Sequence, residues 1–79
     1  MAKDRNIVHQ YFKKEFDDFT VLVKVNPITF TGAEITVSKS GEAELRKMEF
    51  DHEIFDDLKE DGFTDASPLE FNLYQSGLI

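Results

Sequence analysis

The chain has no cysteine among its 79 residues, which excludes both disulfide staples and thiolate chemistry. No apolar run approaches the ~20 residues needed to cross a bilayer. The first residues, Met1 to Asn6, lack the apolar segment of a secretion signal. Together these absences predict a soluble, cytoplasmic chain with no membrane partner. The four glycines stand singly at turn-like places, so no phosphate cradle is encoded. Serines occur at 38, 40, 67 and 76, none of them in a nucleophile motif. Only two histidines are present, His9 and His52. Catalytic residues and cofactors are therefore expected to be absent, and the chain is read as a non-enzyme.

Basic residues are scarce in one half. Residues 1–41 carry six basic and five acidic side chains, whereas residues 42–79 carry three basic and eleven acidic ones; the halves have net charges of +1 and −8, for a total of −7. An acidic half of this kind repels the phosphates of nucleic acids and anionic membrane surfaces.

Eight phenylalanines and two tyrosines supply most of the large apolar surface. In so short a chain they suffice for one core, and the expectation is a single compact domain over residues 1–79. Ile7, Val8, Tyr11, Phe12 and Phe16 recur at helical spacing, which predicts a first helix over 4–18. A strand at 7–12 is the competitor, but its pattern does not alternate. Residues 19–26 do alternate, with Phe19, Val21, Val23 and Val25 on one side, which predicts a strand closed by Asn26-Pro27. Next, Ile28 and Phe30 are apolar at even positions and Ala33, Ile35 and Val37 at odd ones. This change of parity predicts a bulge near Thr31-Gly32.

Ser40-Gly41 reads as a hairpin turn leading into a strand over 42–50, with a bend near Arg46-Lys47 where parity changes again. The rival is one long helix over 42–61. The hairpin is preferred because Asp51 offers an N-cap and Phe50 with Phe55 a hydrophobic staple, signals that a continuous helix would waste. Ile54, Phe55 and Leu58 form the inner face of the acidic helix, and Gly62 supplies its left-handed stop. After a loop at Thr64–Pro68, the alternation of Leu69, Phe71 and Leu73 predicts a last strand.

The fold class expected is α+β, in the order α-β-β-β-α-β. It would form a four-stranded mixed, mostly antiparallel sheet with both helices on one face, the last strand parallel to the third. Leu22 would be an apolar exception on a polar outer face. The first five elements of this order are similar to those of the double-stranded RNA-binding domain. That similarity is of order alone, because the second helix carries Glu53, Asp56, Asp57, Glu60 and Asp61 against a lone Lys59 and lacks the basic contacts duplex RNA requires.

His52 and Asp56 share helical spacing compatible with metal binding or pH sensing, but two ligands do not make a metal site. The run Asp56–Gly62 lacks the alternating oxygen ligands of a calcium loop. The leading expectation is a small acidic protein-interaction module, with Glu53, Asp56, Asp57 and Glu60 as candidate partner-binding residues. Its partner would be a protein with a basic surface or a second copy of the chain, giving a homodimer, and would not be a nucleic acid. Two alternatives stand beside it: a small-ligand binder with an aromatic-lined pocket near Gly32, and an inhibitor or nucleic-acid mimic that uses the acidic helix.

Overall fold

A computed structural model describes residues 9–77. Five strands and two helices follow one another: β1 (Gln10–Glu15), β2 (Phe19–Val25), β3 (Thr31–Ser38), β4 (Ala43–Glu49), α1 (Ile54–Glu60), β5 (Thr64–Asp65) and α2 (Pro68–Gly77). The strands form one sheet in the order β4-β3-β2-β1-β5, and every neighbouring pair is antiparallel. The α+β class, with helices packed on a sheet, is as expected. The element order, the strand count and the placement of the helices differ; the misread first element and the helix placement share one origin.

That origin is burial on both faces of the sheet. On β2, Val21, Val23 and Val25 close against Leu58 of α1, with Phe12, Phe50, Phe55 and Phe63 around them. Leu22, between those valines, faces the other way and closes with Ile35 against Phe71 of α2. The two helices therefore lie on opposite faces, not on one, and Leu22 is fully buried instead of exposed. A strand buried on both sides can carry apolar residues at consecutive positions, which blurs the period-two signal.

The same circumstance explains β1. Tyr11 joins the α2 side and Phe12 the α1 side, so adjacent apolar residues imitate a helical stripe. Residues 10–15 are accordingly a strand and not the second part of a helix; residues 4–8 of that expectation lie outside the described residues. On β4, Ala43 and Leu45 belong to the α2 side, while Phe50 just beyond it belongs to the α1 side. The strand pairs with β3 in unbroken register and has no bend.

The bulge is also absent, since Val25↔Gly32 continues a regular β2–β3 register. The parity change arises because the chain before Thr31 is a turn. The Asn26 Oδ1 accepts the backbone N–H of Ile28 at 2.8 Å and of Thr29 at 3.2 Å. Phe30, at φ 59°, is left-handed and sets its ring tilted against Phe55, 6.3 Å between centroids. Gly32 is needed for close approach instead: a Cβ there would overlap the carbonyl oxygen of Lys24 and press on the Phe50 ring.

The last strand proves to be a helix. Ser67-Pro68-Leu69-Glu70 is a start signal, with Ser67 as N-cap and Pro68 at the first helical position. The Ser67 Oγ accepts the Glu70 backbone N–H at 3.1 Å. In a helix, residues two apart point in opposite directions, so Phe71 goes in while Leu69 and Leu73 stay 67% and 65% exposed. The Thr64–Asp65 stretch is not a loop alone but β5, which pairs antiparallel with β1 and passes the chain from the α1 face to the α2 face. The parallel last strand is thus replaced, and with β1 in place of a first helix the RNA-binding-domain order is lost too.

Two outcomes check this packing. Phe71→Ala should lower stability by about 3–5 kcal/mol, whereas Leu69→Ala should change it by less than about 0.5 kcal/mol; urea unfolding measures both. Gly32→Ala should cost about 1–3 kcal/mol although it only adds a methyl group, and a neutral result by the same method would place Gly32 wrongly.

Candidate functional site

The acidic helix keeps most of its expected anatomy. Its stop is a Schellman arrangement, in which the Phe63 N–H reaches the Leu58 carbonyl at 2.9 Å and the Gly62 N–H the Lys59 carbonyl at 3.1 Å. Gly62 has φ +88°. The start is different: Glu53 is the cap residue and makes no side-chain capping bond, while Asp51 contributes its carbonyl to the Ile54 N–H at 3.0 Å. The Asp51 carboxylate is instead 2.9 Å from His52 Nδ1, and His52 Nε2 is 4.0 Å from Glu53. His52 is thereby occupied by its chain neighbours and forms no pair with Asp56. No group of three metal-ligating side chains occurs among the described residues.

Glu53, Asp56, Asp57 and Glu60 are all exposed. Their spacing of three, four and seven residues puts them on one stripe, opposite Ile54, Phe55 and Leu58. Among the described residues, Asp56, Asp57 and Glu60 have no ion-pair partner. The four candidates are thus brought together on one outward face.

A neighbouring feature was missed in the sequence. Phe16 and Phe19 flank the Asp17-Asp18 turn between β1 and β2, and their rings stack at 4.6 Å with 15° between planes. They remain 40% and 38% exposed. Phe19 has the parity of Val21, so the pair lies on the α1 side of the sheet. Lys14 ties the two features together: its Nζ lies 4.9 Å from the Phe16 ring centroid and donates to the carbonyl of Asp61 at the end of α1. The signal is two aromatics bracketing a two-residue polar turn, which the helical spacing of Phe12 and Phe16 masks.

The opposite face carries a different chemistry. An open groove of about 460 Å³ runs beside Gly32, lined among others by His9, Lys24, Ala33, Leu45, Lys47 and Gln75. No phenylalanine or tyrosine lines it, so it is not the aromatic pocket expected near Gly32. Lys24 and Lys47 make no ion pair among the described residues, whereas Lys13, on the same face, is 2.9 Å from Glu70. The Glu70 hydrogen bond and charge raise the Lys13 pKa. His9 is held below its ordinary value of 6.5 by burial and by the positive charge of Lys24.

Compared with known protein families, curated proteins and solved structures, the chain matches none.

The His9 environment has a measurable consequence. Because folding lowers its pKa, the unfolded chain binds more protons there once the pH falls below about 6.5. Above that pH His9 contributes nothing to the pH dependence, and stability is lost progressively as pH falls through the unfolded and then the folded value. The imidazole resonances should titrate below 6.5 and move upward in Lys24→Gln, and His9→Gln should flatten this part of the stability profile. A folded-state midpoint at or above 6.5 would contradict the placement.

Proposed function

We propose that the chain is a small acidic, non-enzymatic protein-interaction module whose α1 side docks on a protein with a basic surface. The observation that carries this reading is the contiguity of a charge stripe and an aromatic pair on one side of the sheet. Glu53, Asp56, Asp57 and Glu60 supply exposed negative charge, the last three without an ion-pair partner among the described residues, that accelerates encounter with a basic partner and rejects acidic ones. Charge at a rim contributes little affinity, which needs desolvated apolar anchors. Phe16 and Phe19 are such anchors: already stacked, they lose little freedom on burial.

A basic partner fits better than a second copy, since two α1 stripes would face each other with like charge. Nucleic acid is disfavoured by the same stripe. A nucleic-acid mimic is supported less well, because Glu53 to Glu60 spans only ~10 Å of helix, about a third of a DNA turn. The non-enzymatic part rests on the absence of any buried polar or charged side chain among the described residues. An acid–base pair needs at least one carboxylate shielded from water, and the α1 acids are open to it. No helix among the described residues is long and apolar enough to cross a membrane. A cytoplasmic setting, where reduced thiols prevail, is consistent with the lack of cysteine.

Affinity capture with the full chain tests the reading. Basic proteins should be recovered, and the triple variant Asp56→Lys, Asp57→Lys, Glu60→Lys should slow their association roughly 10-fold or more at low salt. Phe16→Ala with Phe19→Ala should mainly speed dissociation, by roughly 10-fold or more. Partners that bind the reversed-charge variant and the native chain equally would overturn the proposal.

A further inference from the structure

The α2 side of the sheet joins two lysines and a histidine that the sequence keeps apart. Lys24 on β2 and Lys47 on β4 both pair with Ala33 of β3, from its two sides. All three side chains therefore share one face, and the lysines stand two strand spacings apart, about 10 Å at Cα. Ala33 between them leaves the floor low. The four-carbon stems are long and flexible enough for both ammonium groups to close on one ligand above that floor. His9 lies two residues before Tyr11, the cross-strand partner of Lys24, and lines the same groove. Gln75, from the last turn of α2, adds a side-chain amide.

What sets Lys24 and Lys47 apart from the chain's other lysines is their convergence on one groove over Ala33. Lys13, on the same face, has its acid in Glu70; Lys24 and Lys47 have none among the described residues. The other charged group in the lining is Glu49, which is exposed and pairs with neither lysine. We propose that this groove is a binding site for a small, multiply charged oxyanion of the phosphate class, held by Lys24 and Lys47 with Gln75 and His9 as further donors. The lowered pKa of His9 fits this arrangement, since Lys24 already repels a proton from the ring. An anion between the lysines would reverse that effect and bring His9 to its charged form.

The volume of about 460 Å³ falls within the ~300–1,000 Å³ typical of small-molecule sites. A polymeric anion is a poorer fit, because the acidic second half of the chain would repel phosphates beyond the groove. The α2 carbonyl end near Gln75 offers an anion no donors, so the ammonium groups must carry recognition. The site is independent of the α1-side docking surface, and either can fail without the other.

Titration of the isotopically labelled full chain with inorganic phosphate, at constant ionic strength against chloride, tests this. Saturable amide shifts should concentrate at Gly32, Ala33, Lys47 and Gln75, and the His9 titration midpoint should rise at saturation. Lys24→Gln with Lys47→Gln keeps most of each stem and should weaken the affinity roughly 10-fold or more, while Lys39→Gln with Lys59→Gln should leave it unchanged. Lys24→Arg with Lys47→Arg should retain binding, which separates lost charge from lost packing. Shifts that grow linearly without saturation, an unmoved His9 midpoint, or equal affinity in the Lys24/Lys47 glutamine variant would each overturn the proposal.

Discussion

Val21, Val23 and Val25 point to one side of the central strand and Leu22 to the other, and both sets must be kept from water. A sheet of this size cannot leave either face bare without exposing apolar surface at ~25 cal/mol per Å². Leu58 seals the first side and Phe71 the second. Each helix is short, seven and ten residues, too short to persist in water without its tertiary contacts. Helix formation and sheet burial are thus one cooperative event on each face. The two-residue β5 gains its importance here, because its pairing with β1 lets the chain change sides within a few residues.

How far the sequence could be read follows from the same constraint. β2 was legible because its valines alternate, and the β3–β4 hairpin because Gly41, at φ 98°, closes its turn. The acidic helix and its Gly62 stop were legible from local chemistry, as was the outward stripe of Glu53, Asp56, Asp57 and Glu60. β1 was not, since Tyr11 and Phe12 bury on opposite faces and erase the period of two. α2 was misread for the converse reason: Leu69, Phe71 and Leu73 alternate as a strand would, although only Phe71 is inside. The capping pattern at Ser67-Pro68-Leu69-Glu70 carried the correct answer and outweighs the alternation. Of the candidate surfaces, the acid stripe needed only a helical wheel. The Phe16–Phe19 stack and the Lys24–Lys47 pair depend on strand register, which no local pattern supplies.

Placing the helices on opposite faces also separates charge. The α1 side carries the acids from Glu53 to Glu60 together with the exposed aromatic pair, and the α2 side carries Lys24 and Lys47. A flat molecule, 41 × 31 × 19 Å across its Cα atoms, keeps these fields on two broad surfaces. At 19 Å across its thin axis the molecule holds them about two Debye lengths apart at physiological ionic strength, where screening through solvent weakens their mutual attraction. One thin domain can in this way present opposite chemistries on its two surfaces, matching the basic protein proposed for one side and the small oxyanion proposed for the other.

The central claim is that β2 is buried on both faces by different helices. Side-chain nuclear Overhauser contacts in the labelled protein test it most directly. Contacts are expected from the Leu58 methyls to Val21 and Val23, and from the Phe71 ring to Leu22, Ile35 and Tyr11, with no side chain of β2 shared between the two helices. Contacts from Phe71 to Val21 or Val23, placing both helices on one face, would contradict it.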